Sequence, residues 1–342
     1  MTGSTLVAPG YAHLRRLSDD QGLFEHARFA VPRPEHGYCV DDVARALVVI
    51  CREPRPDPAV RGLAERFLLF VLAAVTEDGT THNRKSPDGE WTDRPDVCDW
   101  WGRAIWGLGV AAASAPTTGM RDRARDGLDR AARARSPYLH ANVFAALGAA
   151  ELLGARPADA VARELLAECA GEVRAGVDNV RVEWPWPQER LRYANGAVAE
   201  ALIAGGDGLA DGGMLADGLL LLDFLLRTET LDGHLSVTPV AGRGLGDARP
   251  AFDQQPIEVS SLADACALAF TVTAEPRWRD GVRMAWAWFV GDNDRHTAMV
   301  DWSTGGGYDG LTPDGPNLNQ GAESTLAMLA TAQHARRLGL TT

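Results

Sequence analysis

The chain is expected to fold as an all-α (α/α)6 toroid, a six-hairpin barrel in a single domain spanning residues 1–342. Three observations lead there. Helical periodicity dominates and strand-like alternation is nearly absent. Strongly apolar helical stretches alternate with amphipathic ones, so burial on nearly all sides alternates with burial on one face. The turn inside each such pair is short, while the link to the next pair is long.

The apolar stretches, expected as inner helices, fall at residues 40–51, 97–113, 138–153, 191–203, 257–273 and 320–338. They are rich in Ala, Gly and Leu and carry few charges. Amphipathic partners follow the first five at 58–77, 120–134, 158–175, 214–228 and 277–290. Breakers occupy the turns between: Pro54 and Pro56, Pro116, Pro157, Gly212-Gly213 and Pro276. A helix at 11–17 stands alone at the N-terminus and would pair with 320–338 to close a ring. An open α-solenoid is the competing architecture. Closure by the N-terminal helix favours the toroid.

Composition narrows the function. Apolar residues make up 46% of the chain, enough for a sizeable core, and the formal net charge is -12 with a pI near 5.1. That charge argues against a nucleic-acid or anionic-membrane surface. The arginine-rich run from Arg121 to Arg135 alternates with Asp122, Asp126 and Asp129, as a solvated helix face does. Residues 1–17 lack a charged segment followed by an apolar one, so no signal peptide is expected. No apolar run reaches the roughly 18 residues of a membrane span. Cys39, Cys51, Cys98, Cys169 and Cys266 are odd in number and lack CxxC spacing, which suits reduced thiols in the cytoplasm. No metal-ligand spacing stands out, and neither a metal nor another cofactor is expected.

The long links, 80–96, 178–188, 232–256 and 291–319, collect the unusual residues, and links of this length are usually functional. In a toroid they share one rim with the N-terminal ends of the inner helices. Those starts read His36-Gly37-Tyr38-Cys39-Val40-Asp41-Asp42, Asp99-Trp100-Trp101-Gly102-Arg103 and Tyr138-Leu139-His140-Ala141-Asn142. They continue with Trp184 through Tyr193 and Asn195, then Gln254-Gln255-Pro256-Ile257-Glu258, and end with Tyr308-Asp309 and Asn319-Gln320-Gly321-Ala322-Glu323. Read singly, Asp41, Asp42 and Asp99 could be helix caps, and Trp100, Trp101 and Trp106 could be core. Trp184 and Trp186 flank prolines where no core periodicity demands them. Gly305-Gly306-Gly307 lacks the Lys-Ser or Lys-Thr of a phosphate loop.

Together, acids, flat aromatics and neutral amides are the ingredients of a sugar site. Cleaving a glycosidic bond needs two carboxyl groups, one protonated and one ionised. A carboxyl on an apolar inner helix has its pKa raised by desolvation, which suits the acid.

The segments Gly37 to Leu47, Trp184 to Asn195, Phe252 to Glu258 and the stretch before Thr325 resemble the six-hairpin (α/α)6 glycosidase superfamily. Within it they are similar to poorly characterised bacterial glycosidase-like proteins associated with glycosyltransferases. The resemblance implies the toroid, a glycan-directed function and a possible association with a glycosyltransferase. It departs at Pro187-Gln188-Glu189, where an aromatic-acid-acid run is expected and only Glu189 is acidic.

The reading is a cytoplasmic glycoside hydrolase, inverting, acting on an oligosaccharide or glycoconjugate. Candidate catalytic residues are Asp42 with Glu258 or Glu323, then Asp41, Asp99 and Asp309. Candidate carbohydrate-binding residues are His36, Tyr38, Trp100, Trp101, Arg103, His140, Asn142, Trp184, Tyr193, Asn195, Gln255, Tyr308, Asn319 and Gln320. Two alternatives remain. A sugar epimerase or isomerase on the same fold would need facing histidines, with His140, His234 and His296 as candidates. A non-catalytic glycan-binding partner of a glycosyltransferase would show no two carboxyls converging on one pocket.

Overall fold

The computed structural model describes residues 10–177 and 183–341. Twelve α-helices occur among them. The inner set is α2 (Val40–Cys51), α4 (Asp99–Ser114), α6 (Leu139–Ala155), α8 (Asn195–Leu209), α10 (Pro256–Thr273) and α12 (Ala322–Arg337). The outer set is α1 (Ala12–Arg16), α3 (Pro58–Ala74), α5 (Thr118–Ala131), α7 (Ala160–Ala175), α9 (Gly212–Thr228) and α11 (Pro276–Val290). Each inner helix packs on the next, and α12 packs on both α10 and α2, so the ring is closed. The fold is the (α/α)6 toroid. Helix α1 packs on α12, yet it has only five residues.

Burial follows the two sequence patterns. Every residue of α2 except Asp41 is buried. In α5 the buried residues are Met120, Ala124, Gly127, Leu128 and Ala131, a single helical stripe. The apolar inner helices can approach one another closely because glycines lie in the seams. A Cβ on Gly109 of α4 would sit 2.0 Å from the Gly148 carbonyl oxygen of α6, and one on Gly102 would sit 2.2 Å from that of Ala141.

Helix α8 departs from the expected 191–203. It starts later because Arg190–Leu191 pairs antiparallel with Arg243–Gly244, which keeps Leu191 out of the helix. It runs on to Leu209 because Gly205-Gly206 is a packing contact, not a break: a Cβ on Gly206 would lie 2.4 Å from the Leu215 nitrogen of α9. The long links also contain short two-stranded pairs. Tyr38–Cys39 pairs with Arg84–Lys85, Gly310–Thr312 pairs with Gly315–Asn317, and a bridge joins Gln254 to Leu311. Part of the 178–188 link lies outside the described residues.

Capping differs between the two sets of helices, although α1 and α11 of the outer set also lack a side-chain cap. Asp57, Thr117, Asp159 and Asp211 cap α3, α5, α7 and α9 with their own side chains. None of the six inner helices is capped by its own N-cap side chain. Their positive dipole ends therefore point at one rim, where they favour carboxylates, and side chains of other elements take their N–H groups: Asn83 at α2, Glu258 at α8 and Asp309 at α12. At the opposite mouth lies a larger hollow of about 1210 Å³. Among its charges Arg52 donates to Glu151 and Asp264, Asp264 also pairs with His334, and Glu200 lies buried beside them. No helix among the described residues is long and apolar enough to cross a membrane.

The seam glycines give a stability test. Gly109→Ala forces α4 and α6 apart and is expected to cost about 1–3 kcal/mol, read as a lowered thermal midpoint. Gly154→Ala, at a position with open space around it, is expected to be neutral or slightly stabilising, since alanine is the better helix former. Equal midpoints for both variants would contradict glycine-mediated packing.

Candidate active site

A cavity of about 670 Å³ opens at the rim where the inner helices begin. Its walls are the starts of α2 (Cys39, Asp41, Asp42, Arg45), α4 (Cys98, Asp99, Trp100) and α12 (Gly321, Glu323, Ser324). Tyr193 enters just before α8 and Gln255 just before α10, while the links add Glu25, His26, Asn83, Asp309 and Asn317. Six carboxyl groups and one histidine thus line one hollow.

The floor is organised by Arg45, a single basic charge on the apolar α2. Its Nη1 donates to Asp42 Oδ1 at 2.7 Å and its Nη2 to Glu323 Oε2 at 3.0 Å. The same Nη2 reaches the Tyr193 hydroxyl at 3.3 Å. Asp42 and Glu323, from helices at opposite ends of the chain, are therefore clamped to one guanidinium. Arg103 lies beneath, 1% exposed, stacked 3.8 Å over Phe144, and also donates to the Tyr193 hydroxyl. Its Nε is 3.7 Å from Asp41 Oδ1.

Burial sets the protonation states. It pushes the Asp42 carboxyl up to about 7 against the pull of Arg45, with Glu323 and Glu25 adding to the rise. Asp41 is raised by burial, opposed by Arg103 and Arg45. Asp309 is raised by burial, although the Gly321 N–H and the Ser324 hydroxyl donate to it, so it caps α12 from a neighbouring link. Glu323, Arg45's other partner, remains 38% exposed to the cavity.

Several residues expected at the site are found elsewhere. Glu258 does not line the cavity. Its oxygens accept the Ala194 N–H at 2.6 Å, the Asn195 N–H at 3.1 Å and the Asn195 Nδ2 at 2.7 Å, so it caps α8 from α10. Burial and Glu229 push it up to about 8 against those three donors. Trp101 is fully buried, with Nε1 donating to the Ala131 carbonyl. Tyr38 is 1% exposed between Phe24 and Phe70 and donates to Asp19. Asn142 is buried and donates to the Ser136 carbonyl. Trp184 is buried edge-on against Phe224 of α9, because α9 offers an apolar face that the loop covers.

Other candidates sit around the cavity without lining it. His140 Nε2 bonds the Tyr193 carbonyl oxygen at 2.7 Å, and burial lowers its pKa. Asn319 Oδ1 accepts the Phe29 N–H, and Gln320 bonds Asp301 and Thr304, so both hold rim loops in place. Tyr308 is half-buried, its N–H on the Met299 carbonyl. His36 is exposed at the lip, 5.0 Å from His26. Asp41, Asp42, Asp99, Asp309, Glu323, Trp100, Tyr193 and Gln255 do converge on the cavity.

The cavity also contains residues the sequence reading did not select. Arg45 had a signal, being a lone basic residue three positions after Asp42 on an apolar helix. Glu25 and His26 had none, because they lie in irregular chain, and Asn83 had only its place in the 80–96 link. Glu25, Cys39 and Asp42 place ligand atoms within 4.8 Å of one another. They suit a cation poorly: Arg84 already donates to Glu25 and Arg45 to Asp42, and burial holds the Cys39 thiol well above its usual pKa. His234 pairs with Asp294 and lies 6.3 Å from the His296 ring, away from the cavity lining.

No family model matches the sequence, and no curated protein matches it. Solved structures do share its fold. A cellobiose 2-epimerase from Bacillus thermoamylovorans is 13% identical with a TM-score of 0.70, over 95% of each chain. A D-mannose isomerase is 11% identical with a TM-score of 0.67, covering 95% of this chain and 94% of that one. A cellulase of C. cellulolyticum is 9% identical with a TM-score of 0.61, covering 93% and 87%. At these identities the likeness is one of fold.

The raised Asp42 gives a pH test. In the folded chain Asp42 holds its proton more tightly than at its ordinary value of 3.8. The stability this contributes is complete below that value and is lost as the pH rises to about 7. Over that interval the melting temperature of the wild type should lose more than that of Asp42→Asn. Parallel profiles would show that Asp42 is not raised.

Proposed function

We propose that the rim cavity is the active site of a carbohydrate-active enzyme whose proton transfers run through carboxyl groups. The observation that carries this is Arg45 clamping Asp42 and Glu323 on one floor. Asp42, near neutrality in pKa, is suited to exchange a proton, and Glu323, more open to the cavity and paired with Arg45, to act as the second carboxyl. Trp100 and Gln255 would offer an aromatic face and an amide to the sugar. A cavity of about 670 Å³ is in the range of small-ligand sites. Two or more carboxyls converging on one hollow disfavour a purely glycan-binding role.

Two reactions remain within this reading. Side-chain chemistry favours hydrolysis, because six carboxyls and a single histidine surround the cavity and the His234–His296 pair lies outside it. Fold likeness favours epimerisation or isomerisation at least as strongly: the epimerase and isomerase compared above are matched over nearly their full length. In hydrolysis Asp42 would protonate the leaving oxygen while Glu323 activates water, the roles of the two carboxyls in an inverting enzyme. In rearrangement Asp42 would instead remove a proton from a carbon next to the carbonyl. The free, mostly buried cysteines suit a reducing cytoplasm. An association with a glycosyltransferase stays part of the proposal, on the sequence resemblance.

Mass spectrometry of the purified protein with cellobiose, mannose and a panel of mannosides and glucosides in heavy water separates the two. Hydrolysis yields smaller sugars, whereas rearrangement keeps the number of sugar units and gains mass only by deuterium taken up at carbon. Asp42→Asn and Glu323→Gln are expected to lower kcat by about 10²–10⁴ at near-normal melting temperature. As an acid, Asp42 makes kcat/KM fall as the pH rises through about 7, and as a base it makes it rise. Conversion of a panel sugar with both variants fully active would overturn the assignment.

A further inference from the structure

We infer that Tyr193 is a catalytic residue, an uncharged hydrogen-bond donor to the substrate oxygen on which negative charge develops. This rests on the cavity being the site of the proposed sugar chemistry. A phenol oxygen accepts through its lone pairs and donates one proton. Here Arg45 and Arg103 both donate to the Tyr193 oxygen, so its acceptor capacity is taken from the protein side. No protein group among the described residues accepts its proton, and Tyr193 lines the cavity. The O–H is thereby turned toward whatever fills the hollow. Burial keeps the phenol protonated, well above its usual pKa, although the two guanidiniums pull the other way.

Much of the surrounding structure is engaged in holding this one residue. His140 bonds the Tyr193 carbonyl oxygen. The next residue, Ala194, sits at φ 47°, a left-handed conformation that a non-glycine residue keeps only where its surroundings impose it. Glu258 holds that turn by accepting the Ala194 and Asn195 N–H groups, and the Asn195 side chain ties Glu258 in return. Arg103 is buried and stacked on Phe144 beneath the ring. His140, Asn195, Glu258 and Arg103 are therefore positioning residues, and a helix start needing only a cap would not require them all. Donors fixed before the reaction begins stabilise developing charge without reorganisation. The proton remains on Tyr193, so the same donor serves a leaving glycosidic oxygen or the carbonyl oxygen of an open-chain sugar.

Tyr193→Phe removes the hydroxyl and keeps the ring. On a sugar the wild type converts, kcat is expected to fall about 10²–10³-fold, with KM within about threefold and melting temperature retained. The pH limb near 7, which belongs to Asp42, should stay where it is. An unchanged kcat would overturn the inference while leaving the proposed function intact, and so would a loss accounted for by unfolding or a higher KM. If the wild type converts nothing on the panel but binds cellobiose or mannose by calorimetry, the enzymatic reading falls. Tyr193 would then survive only as a ligand donor, supported by severalfold weaker binding in Tyr193→Phe and overturned by equal binding. A wild type that neither converts nor binds these sugars overturns both.

Discussion

The guanidinium of Arg45 is the interaction on which the rim depends. It is buried on α2, holds Asp42 one turn below it, reaches Glu323 on α12, and touches the hydroxyl of Tyr193 at the start of α8. Those contacts tie the first, fourth and sixth inner helices together at the point where the ring closes. They also account for the charge pattern. Buried acids are tolerated when a cation and the positive ends of helices face them, and this rim supplies both. Removing Arg45 would leave Asp42 buried without its partner, so the architecture and the chemistry of the cavity are one problem.

The same logic distinguishes the two mouths of the barrel. At the far mouth Arg52 is ringed by Glu151 and Asp264, with His334 closing the group, and these charges neutralise each other. At the rim the acids outnumber the guanidiniums, and Glu323, Asp41 and Asp99 keep surface toward the hollow. Size alone would point to the far mouth. The converging helix starts, with Asp42 and Glu323 held on one guanidinium, point to the rim.

Much of the fold was legible because inner and outer helices carry different periodicities. The mostly apolar stretch 40–51 and the striped helix around Leu128 each declare how many faces are covered. The limits of α8 were not legible, since neither the strand pairing of Leu191 with Arg243 nor the helix contact at Gly206 shows in the local sequence. That Asp42, Asp41 and Glu323 line the cavity could be read because a carboxyl on an apolar helix is costly to bury without a partner or a task. Glu258 fitted the same rule and is instead an anchor for α8: sequence shows that a carboxyl is buried but not which N–H groups meet it. Trp101, Trp184, Tyr38 and Asn142 failed similarly, their burial being decided by how loops and neighbouring helices close over them. Glu25 and His26 reach the cavity from chain with no periodicity at all.

Everything proposed for this rim requires that a sugar occupy the cavity against Asp42, Glu323 and Tyr193. Crystallography of the protein soaked with cellobiose or mannose puts that requirement to the sharpest test. Sugar density is predicted over Arg45, with a sugar oxygen in hydrogen-bond reach of the Tyr193 hydroxyl and Glu323. Density confined to the Arg52 mouth, with the rim cavity holding only solvent, would contradict it.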